Sequence, residues 1–263
     1  MDIGVRDKVA LVAAASKGLG FGIAQVLAEE GAKVSIGSRT ATDIKAAATQ
    51  LQQQTKSEVL AGVLDAADHQ SILDWVSATH KHFGRVDCLV INAGGPPAGN
   101  FDDFEDPTWQ AAFELTLLSA VRMVRAVLPL MRQQGGGSIL AVTSSSVKEP
   151  IDHLLLSNVM RSGVASLMKS LARQLAKENI RVNNLVPGRI DTERVRSLDA
   201  FNAKAHGIPE PEWQARMEAT IPMGRYGHIT EFGKAGAFLL SDAASYITGA
   251  TFVVDGGLIR AVT

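Results

Sequence analysis

A glycine-rich turn near the N-terminus has the residue types and spacing to bind a phosphate group. The turn spans 13–20 and lies between a short apolar run at 9–12 and a helical pattern at 21–30. A helix that starts there presents free N–H groups and the positive end of its dipole to an anion. Three glycines allow a backbone to approach a ligand closely, namely Gly18, Gly20 and Gly22. The sequence therefore predicts a cradle for a dinucleotide phosphate, although the spacing is not Gly-x-Gly-x-x-Gly.

Two basic residues indicate which dinucleotide is bound. Arg39 follows the next apolar run, where an acidic side chain would bind a ribose 2′-hydroxyl and an arginine suits a 2′-phosphate. Lys17 lies at the helix N-terminus, where the dipole disfavours a cation unless an anion is beside it. Together they predict NADP(H) rather than NAD(H). Asp65 ends the third apolar run, and it either accepts a hydrogen bond from the adenine amine or caps the following helix.

Two further strand ends carry small residues that permit close approach of a cofactor. Asn92-Ala93-Gly94 follows the fourth apolar run, and Pro187-Gly188 follows the sixth. The carboxyl ends of parallel strands form the ligand crevice of an open α/β sheet. We therefore expect the cofactor to contact Ala14, Ser16, Lys17, Gly18, Leu19, Gly20, Arg39, Asp65, Asn92, Ala93, Gly94, Pro187 and Gly188.

The apolar runs also predict the elements that position these residues. Several runs are continuous rather than alternating, which indicates a parallel sheet buried on both faces. Helical patterns separate them, as in βαβ units, so we expect an α/β fold with a doubly wound sheet. After the first strand, further strands are expected at 33–37, 58–64, 86–91, 137–142, 181–186 and 251–254, and helices near 41–54, 68–82, 107–133, 153–178 and 230–240.

The chain reads as a single domain over 1–263, with one irregular stretch at 191–223. No linker, repeat or shift of composition divides the sequence. The irregular stretch carries helix-like pieces at 192–205 and 210–219. Because it follows the carboxyl end of a strand, we expect a lid over the ligand crevice. A simple surface excursion is the alternative.

Composition excludes several classes of protein. The chain is 46% hydrophobic and 20% charged with a net charge of −1, so nothing marks it as a binder of nucleic acid or of an anionic membrane. The first eight residues hold no apolar signal core, and no uncharged apolar run reaches about 18 residues. Cys88 is the only cysteine and lies in an apolar run, so we expect a buried thiol without a disulfide. These features predict a cytoplasmic protein without a metal site.

The chain resembles the classical short-chain dehydrogenase/reductase family, most closely its 3-oxoacyl-carrier-protein-reductase-like members. The matching motifs occur in order from one end of the chain to the other: Lys8-Val9-Ala10-Leu11-Val12, Asn92-Ala93-Gly94, Arg181-Val182-Asn183, Val186-Pro187-Gly188 and Ile247-Thr248-Gly249-Ala250-Thr251-Phe252-Val253-Val254-Asp255-Gly256-Gly257. The resemblance implies a Rossmann-type sheet of about seven strands, an NADP(H) cofactor and a homodimer or homotetramer. Lys17 and Arg39 match the basic pair that selects NADP(H), and Thr192 matches the residue that holds the nicotinamide carboxamide.

The catalytic residues of that family are mostly replaced in this chain. The family reduces carbonyls with a serine, a tyrosine, a lysine and an asparagine. Ser144 matches the serine, but Ser157 and Arg161 stand where Tyr-x-x-x-Lys is expected, and Thr116 stands at the asparagine. Ala14 replaces the first glycine of the cofactor turn.

The substitutions remove the usual proton donor. An alkyl hydroxyl is too weak an acid for Ser157 to replace a tyrosine. Arg161 stays protonated, but it can polarise a carbonyl or bridge ribose hydroxyls and an anionic substrate group. His153 is either the acid or an exposed loop residue. We therefore expect an NADP(H)-dependent oxidoreductase, or else a non-catalytic NADP(H)-binding protein.

Three other residues near these motifs carry simpler expectations. Lys148 and Glu149 lie in the loop before the long helix, and we expect both as solvated charges. Tyr246 precedes Ile247-Thr248-Gly249, and we expect its ring in the core.

Overall fold

Seven parallel strands form one sheet in the computed structural model, which describes residues 3–262. The strand order is β3-β2-β1-β4-β5-β6-β7, and each neighbouring pair is parallel. The predicted doubly wound α/β sheet is confirmed. The strands are β1 (Val9–Ala13), β2 (Lys33–Ser38), β3 (Val59–Val63), β4 (Cys88–Ile91), β5 (Gly137–Val142), β6 (Ile180–Pro187) and β7 (Thr251–Val254).

Helices cover both faces of the sheet. The described helices are α1 (Gly18–Glu29), α2 (Ala41–Thr55), α3 (His69–Phe83), α4 (Asp106–Ala112), α5 (Ser119–Gln133), α6 (Leu155–Leu175), α7 (Glu193–Ala205), α8 (Glu210–Ala219) and α9 (Ile229–Leu240). One apolar layer contains side chains of α1, α2 and α9, and the other those of α3, α5 and α6. Every residue of β1 is buried as a result, which is why its sequence is continuously apolar.

Cys88 lies in the first of these layers as a free, buried cysteine, as the sequence predicts. Burial raises the pKa of its thiol to about 12, so the side chain packs as a small apolar group. No three His, Cys, Asp or Glu side chains converge as metal ligands within residues 3–262. In the same range, no helix is long and apolar enough to span a membrane.

Two helix boundaries differ from the sequence pattern. Helix α1 begins at Gly18 rather than at residue 21, because Leu19 and Gly20 already belong to its first turn, while Gly18 itself has a φ of 65°. The single helix expected near 107–133 is divided into α4, a π-helical turn at Phe113–Leu118, and α5. An apolar periodicity does not reveal a π-turn, because the turn shifts the helical face by only one residue.

Gly22 packs helices together rather than approaching a ligand, which corrects the sequence expectation. A Cβ at Gly22 would lie 2.4 Å from the carbonyl oxygen of Ile229. A Cβ at Gly233 of α9 would in turn lie 2.2 Å from the carbonyl oxygen of Gly22. Helices α1 and α9 therefore cross in backbone contact at this point.

The segment at 191–223 forms two helices, as predicted, and is fixed by one carboxylate. Asp199 of α7 is buried; its Oδ1 accepts from Arg189 Nη1 at 2.6 Å and from Trp213 Nε1 at 3.1 Å. Its Oδ2 accepts from the Tyr226 hydroxyl at 2.8 Å. Burial and this hydrogen bond raise the pKa of Tyr226 to about 12. The network ties α7 and α8 to the chain that leaves β6.

Tyr246 is fully exposed, so the expectation of core packing is wrong. The residue follows a 3₁₀ turn at Asp242–Ala244 and precedes β7, which is an edge strand. Phe252 on β7 is also exposed. Sequence position before a strand does not decide whether another part of the chain covers that edge.

The close crossing of α1 and α9 predicts a loss of stability for Gly233→Ala. The added methyl has to push the Gly22 backbone away, and overpacking of this kind lowers the free energy of unfolding by about 1–3 kcal/mol. Denaturant unfolding measures the change. Lys234→Ala, on the exposed side of the same helix, is the control and should stay within about 0.5 kcal/mol of the parent. Equal stabilities for G233A and the parent would contradict the backbone contact.

Candidate functional site

The turn between β1 and α1 lies at the sheet's switch point and has an unusual backbone. Ala14 adopts the left-handed region with a φ of 49°, a conformation that favours glycine. Asn92 Nδ2, at the end of β4, donates to the carbonyl oxygen of Ala14 at 3.2 Å. A Cβ at Gly20 would lie 2.6 Å from that same oxygen. The turn is therefore closed tightly against β4, and only glycine fits at position 20.

The start of α1 has the donors that an anion requires. Lys17 is the N-cap residue, and its side chain makes no capping hydrogen bond. The first-turn N–H groups are therefore not satisfied by a capping side chain, and they face the carboxyl edge of the sheet. This arrangement fits the phosphates of a dinucleotide.

A second feature suited to a phosphate lies at the end of β2. Ser38 Oγ is buried and has no hydrogen-bond partner among the described residues. The next residue, Arg39, is exposed. A hydroxyl donor without a partner beside a cation fits a cofactor phosphate at this strand end.

Lys17 is paired within the protein. Its ammonium lies 2.5 Å from Glu193 Oε2 at the start of α7, with each side chain about two-thirds exposed. The ion pair lowers the pKa of Glu193. The structure therefore joins the cofactor turn to the 191–223 segment, a contact that the sequence does not indicate.

Asp65 is not the cap of the following helix. Asp68 is the N-cap of α3, and its Oδ1 accepts from Gln70 N at 2.9 Å. Asp65 Oδ1 instead accepts from Ala67 N at 3.0 Å within the connecting turn. The capping alternative is wrong, because α3 begins at His69, directly after Asp68. Adenine binding by Asp65 stays a prediction.

Ser144, Ser157 and Arg161 are brought together at the end of β5. Ser144 Oγ accepts from Ser146 N at 3.1 Å and starts a 3₁₀ turn. Arg161 Nε donates to Ser157 Oγ at 3.2 Å, and Arg161 Nη1 donates to the carbonyl oxygens of Val142 at 3.2 Å and Thr143 at 3.4 Å. The guanidinium therefore lies against the peptide group that precedes Ser144.

Arg161 is a cation without a carboxylate partner among residues 3–262. Burial, and to a smaller extent the charge of Arg194, lower the pKa of Arg161 to about 10. The guanidinium remains protonated near neutral pH. It can donate to a carbonyl, to hydroxyls or to an anion.

Thr116 and His153 occupy different environments. Thr116 lies in the π-turn, and its buried Oγ1 lacks a partner in the described part of the chain. His153 is exposed, has a φ of 59°, and its carbonyl oxygen accepts from Gly99 N at 2.6 Å. Its backbone thus holds two loops together, while its imidazole is in solvent. A role in proton transfer stays a prediction for both residues.

Thr192 and Gly188 border the same crevice. Thr192 Oγ1 caps α7 by accepting from Val195 N at 3.3 Å, and its methyl carbon lies 3.7 Å from the Cβ position of Gly18. A Cβ at Gly188 would lie 2.5 Å from Cα of Asp255, the residue that follows β7. Thr192, which belongs to the 191–223 segment, therefore lies beside the glycine turn.

Two residues near the site have contacts that the sequence did not predict. Glu149 is not simply solvated, because its Oε1 accepts from Arg260 N at 3.0 Å and from Ala261 N at 2.9 Å. Arg194 was not singled out from the sequence, yet its guanidinium lies against Gly95 at the end of β4. No local pattern marks either residue, because both contacts join distant parts of the chain.

The sheet order, the glycine turn and the helix N-terminus at the switch point define a dinucleotide-binding protein of the Rossmann type. The sequence model of a family described as Enoyl-(Acyl carrier protein) reductase matches residues 13–259. Dehydrogenase/reductase SDR family member 4 from Bos taurus is 35% identical over 254 residues, covering 95% of this chain and 87% of the relative. The chain therefore belongs to the short-chain dehydrogenase/reductase family.

Two solved structures are similar over essentially the whole chain. L-sorbose reductase from Gluconobacter frateurii, complexed with NADPH and L-sorbose, is 30% identical with a TM-score of 0.95 and 100% coverage of both chains. An NADPH-bound short chain oxidoreductase from Pseudomonas aeruginosa PAO1 containing an atypical catalytic center is 29% identical. Its TM-score is 0.90, and the match covers 98% of this chain and 99% of that chain.

The left-handed backbone at Ala14 predicts that Ala14→Gly raises the free energy of unfolding. A non-glycine residue in this region costs about 1–2 kcal/mol, and the extra freedom of glycine in the unfolded chain offsets about 0.5–1 kcal/mol. We expect a net gain of up to about 1 kcal/mol in denaturant unfolding. Ala15→Gly is the matched control, because Ala15 is buried without a positive φ, and it should destabilise. A loss of stability in A14G would contradict the strain.

Proposed function

We propose that this protein is an NADP(H)-dependent oxidoreductase that acts on a carbonyl or alcohol substrate through a site lacking the usual tyrosine and lysine. The observation that carries the proposal is the position of Arg161. Its guanidinium lies against the carbonyl oxygens of Val142 and Thr143, directly before Ser144. A cation fixed at the peptide group that precedes Ser144 is suited to polarise a carbonyl oxygen.

The residues at the crevice fit NADP(H). The N-terminus of α1 would hold the pyrophosphate, and Ser38 with Arg39 would hold the 2′-phosphate. Thr192 would bind the nicotinamide carboxamide, and Arg161 would reach the ribose hydroxyls. The two NADPH complexes described above support this assignment. The remaining expected contacts are Ala14, Ser16, Lys17, Gly18, Leu19, Gly20, Asp65, Asn92, Ala93, Gly94, Pro187 and Gly188.

When bound, NADPH supplies a hydride to the carbonyl carbon, and a proton on the oxygen completes the alcohol. Ser144 would orient the carbonyl, and Arg161 would stabilise the negative charge that develops on its oxygen. Ser157 accepts a hydrogen bond from Arg161 and has no acidity near neutral pH. Water or His153 would therefore deliver the proton, and Thr116 Oγ1 has free capacity to bond such a water.

A non-catalytic NADP(H)-binding protein is the second candidate. One observation favours it: the described crevice holds no tyrosine, because Tyr226 lies in the Asp199 network and Tyr246 is exposed at the sheet edge. The loss of one general acid costs a factor of about 10²–10⁴ in rate rather than all activity. We therefore favour the enzyme.

The proposal includes an arrangement around the site. We propose that the 191–223 segment acts as a lid on the substrate side, attached through Asp199 and the Lys17–Glu193 pair.

Exposed Tyr246 and Phe252 support a homodimer or homotetramer that covers the β7 edge. The near-neutral charge and single cysteine support a cytoplasmic location without nucleic acid or membrane partners.

The activity is tested by following NADPH absorbance with a broad panel of aldehydes, ketones and oxo acids. We expect turnover above the no-enzyme rate with at least one substrate. The double variant Ser157→Tyr with Arg161→Lys should raise the rate on generic carbonyls by about 10²-fold or more, because it restores an acid with a tunable pKa. Tight NADPH binding without turnover, in both proteins, would favour the non-catalytic alternative.

Cofactor choice is tested by Arg39→Asp. Loss of a charge-assisted hydrogen bond to the 2′-phosphate should weaken NADPH binding by about 10–100-fold, while NADH binding stays within a factor of about three. Fluorescence titration measures both dissociation constants. Lys45→Asp, an equal charge change at an exposed position of α2, is the control. Equal losses for NADPH and NADH would show that Arg39 does not read the 2′-phosphate.

A further inference from the structure

Arg194 is an unpaired cation on a helix whose neighbouring charges are paired. Glu193 binds Lys17 at 2.5 Å, and Arg196 Nε binds Asp191 Oδ1 at 2.7 Å. The side chain of Arg194, between them, makes no hydrogen bond or ion pair with any residue in the described range 3–262. Glu193 and Arg196 thus each have an oppositely charged partner, whereas the Arg194 guanidinium has none among the described residues.

The Arg194 side chain lies across the crevice rather than pointing away from it. An added Cβ at Gly95 would lie 2.4 Å from Nη2 and 2.8 Å from Cζ of Arg194. Gly95 directly follows Asn92-Ala93-Gly94 at the end of β4, so α7 reaches the opposite wall through this one side chain. Gly95 also lines a cavity of about 310 Å³ with Pro97, Thr108, Ala111 and Leu115.

Arg194 lies close enough to Arg161 for its charge to act on the Arg161 guanidinium. The charge of Arg194 lowers the pKa of Arg161, and no acidic group offsets this effect. Two like charges that face one crevice without a counter-ion repel each other, and an anion between them removes the repulsion. An anionic ligand between Arg161 and Arg194 would therefore stabilise both guanidinium groups.

The donors that remain free favour a carboxylate. Arg161 already uses Nε for Ser157 and Nη1 for two carbonyl oxygens. The two N–H groups of Nη2 remain, and one can donate to a carboxylate oxygen while the other donates to the reacting carbonyl oxygen or a ribose hydroxyl. Arg194 offers its whole guanidinium fork. Two carboxylate oxygens match the free nitrogen of Arg161 and the guanidinium fork of Arg194.

We propose that Arg161 and Arg194 together bind a carboxylate of the substrate, so that the substrate is an oxo acid. The inference rests on the proposed oxidoreductase function, because Ser144 follows the two carbonyl groups that hold Arg161 and would place the reacting carbonyl near the carboxylate. The cavity next to Gly95 takes the rest of the carbon chain. Arg194 acts as a specificity-determining residue in this arrangement.

The test compares each of a series of 2-oxo and 3-oxo acids with its neutral methyl ester. The parent protein should prefer the acids in kcat/KM. Arg194→Gln should lower kcat/KM for the acids by about 10–100-fold, with the esters unchanged. Gly95→Ala should act in the same direction, because the methyl displaces the Arg194 guanidinium without altering its charge. Lys204→Gln, an equal charge change at an exposed position of α7, should leave the acid preference intact.

A binding measurement separates this inference from the proposed activity. Succinate, a dicarboxylate that cannot be reduced, should bind the NADP⁺-loaded protein in calorimetric titration, and R194Q should abolish that binding even if no substrate is turned over. Succinate binding, together with no turnover of any carbonyl substrate, would support a carboxylate site at Arg161 and Arg194 and would contradict the proposed oxidoreductase activity. Equal use of acids and esters, a preference for phosphorylated carbonyls, or a loss of NADPH affinity in R194Q would overturn the carboxylate assignment.

Discussion

The hydrogen bond from Asn92 to the carbonyl of Ala14 joins β1 to β4, the two strands between which the sheet order reverses. The rest of the site depends on this closure. It fixes the direction in which the chain leaves β1, and therefore the point where α1 begins at Gly18. With α1 directed at the sheet edge, its N-terminal donors, the end of β2 and the end of β5 all open on one crevice.

At the other end of the crevice, the chain keeps a cation but changes its chemistry. An arginine beside β5 donates to fixed carbonyls and stays charged, so it can stabilise negative charge but cannot relay a proton. Burial lowers the pKa of Arg161 to about 10, which means that burial disfavours the charged form of its guanidinium. Such a group is most useful where the ligand itself is negative, which links the missing tyrosine to the choice of substrate.

The sequence predicted the sheet well because each strand can be recognised from its own consecutive residues. Continuous apolar runs identify β1, β4 and β5, and the motifs at their ends identify the crevice. What it could not predict depends on contacts between distant residues. Gly22 has the same local surroundings as a ligand-facing glycine, and only the position of Ile229 shows that it packs helices. Asp65 and Asp68 both suit a cap, and the true helix start decides between them. Glu149, Arg194 and Tyr246 likewise depend on which segment lies beside them.

The ion pair between Lys17 and Glu193 makes one cation common to the glycine turn and helix α7. An exposed pair of this kind contributes at most about 1 kcal/mol, so a phosphate at the turn can draw Lys17 away from Glu193 with little opposition. The two events are then linked reciprocally: whatever occupies the turn loosens α7, and whatever fixes α7 in place weakens occupancy of the turn by the same factor. The glycine turn and α7 therefore compete for the charge of one side chain, and the coupling between them is negative.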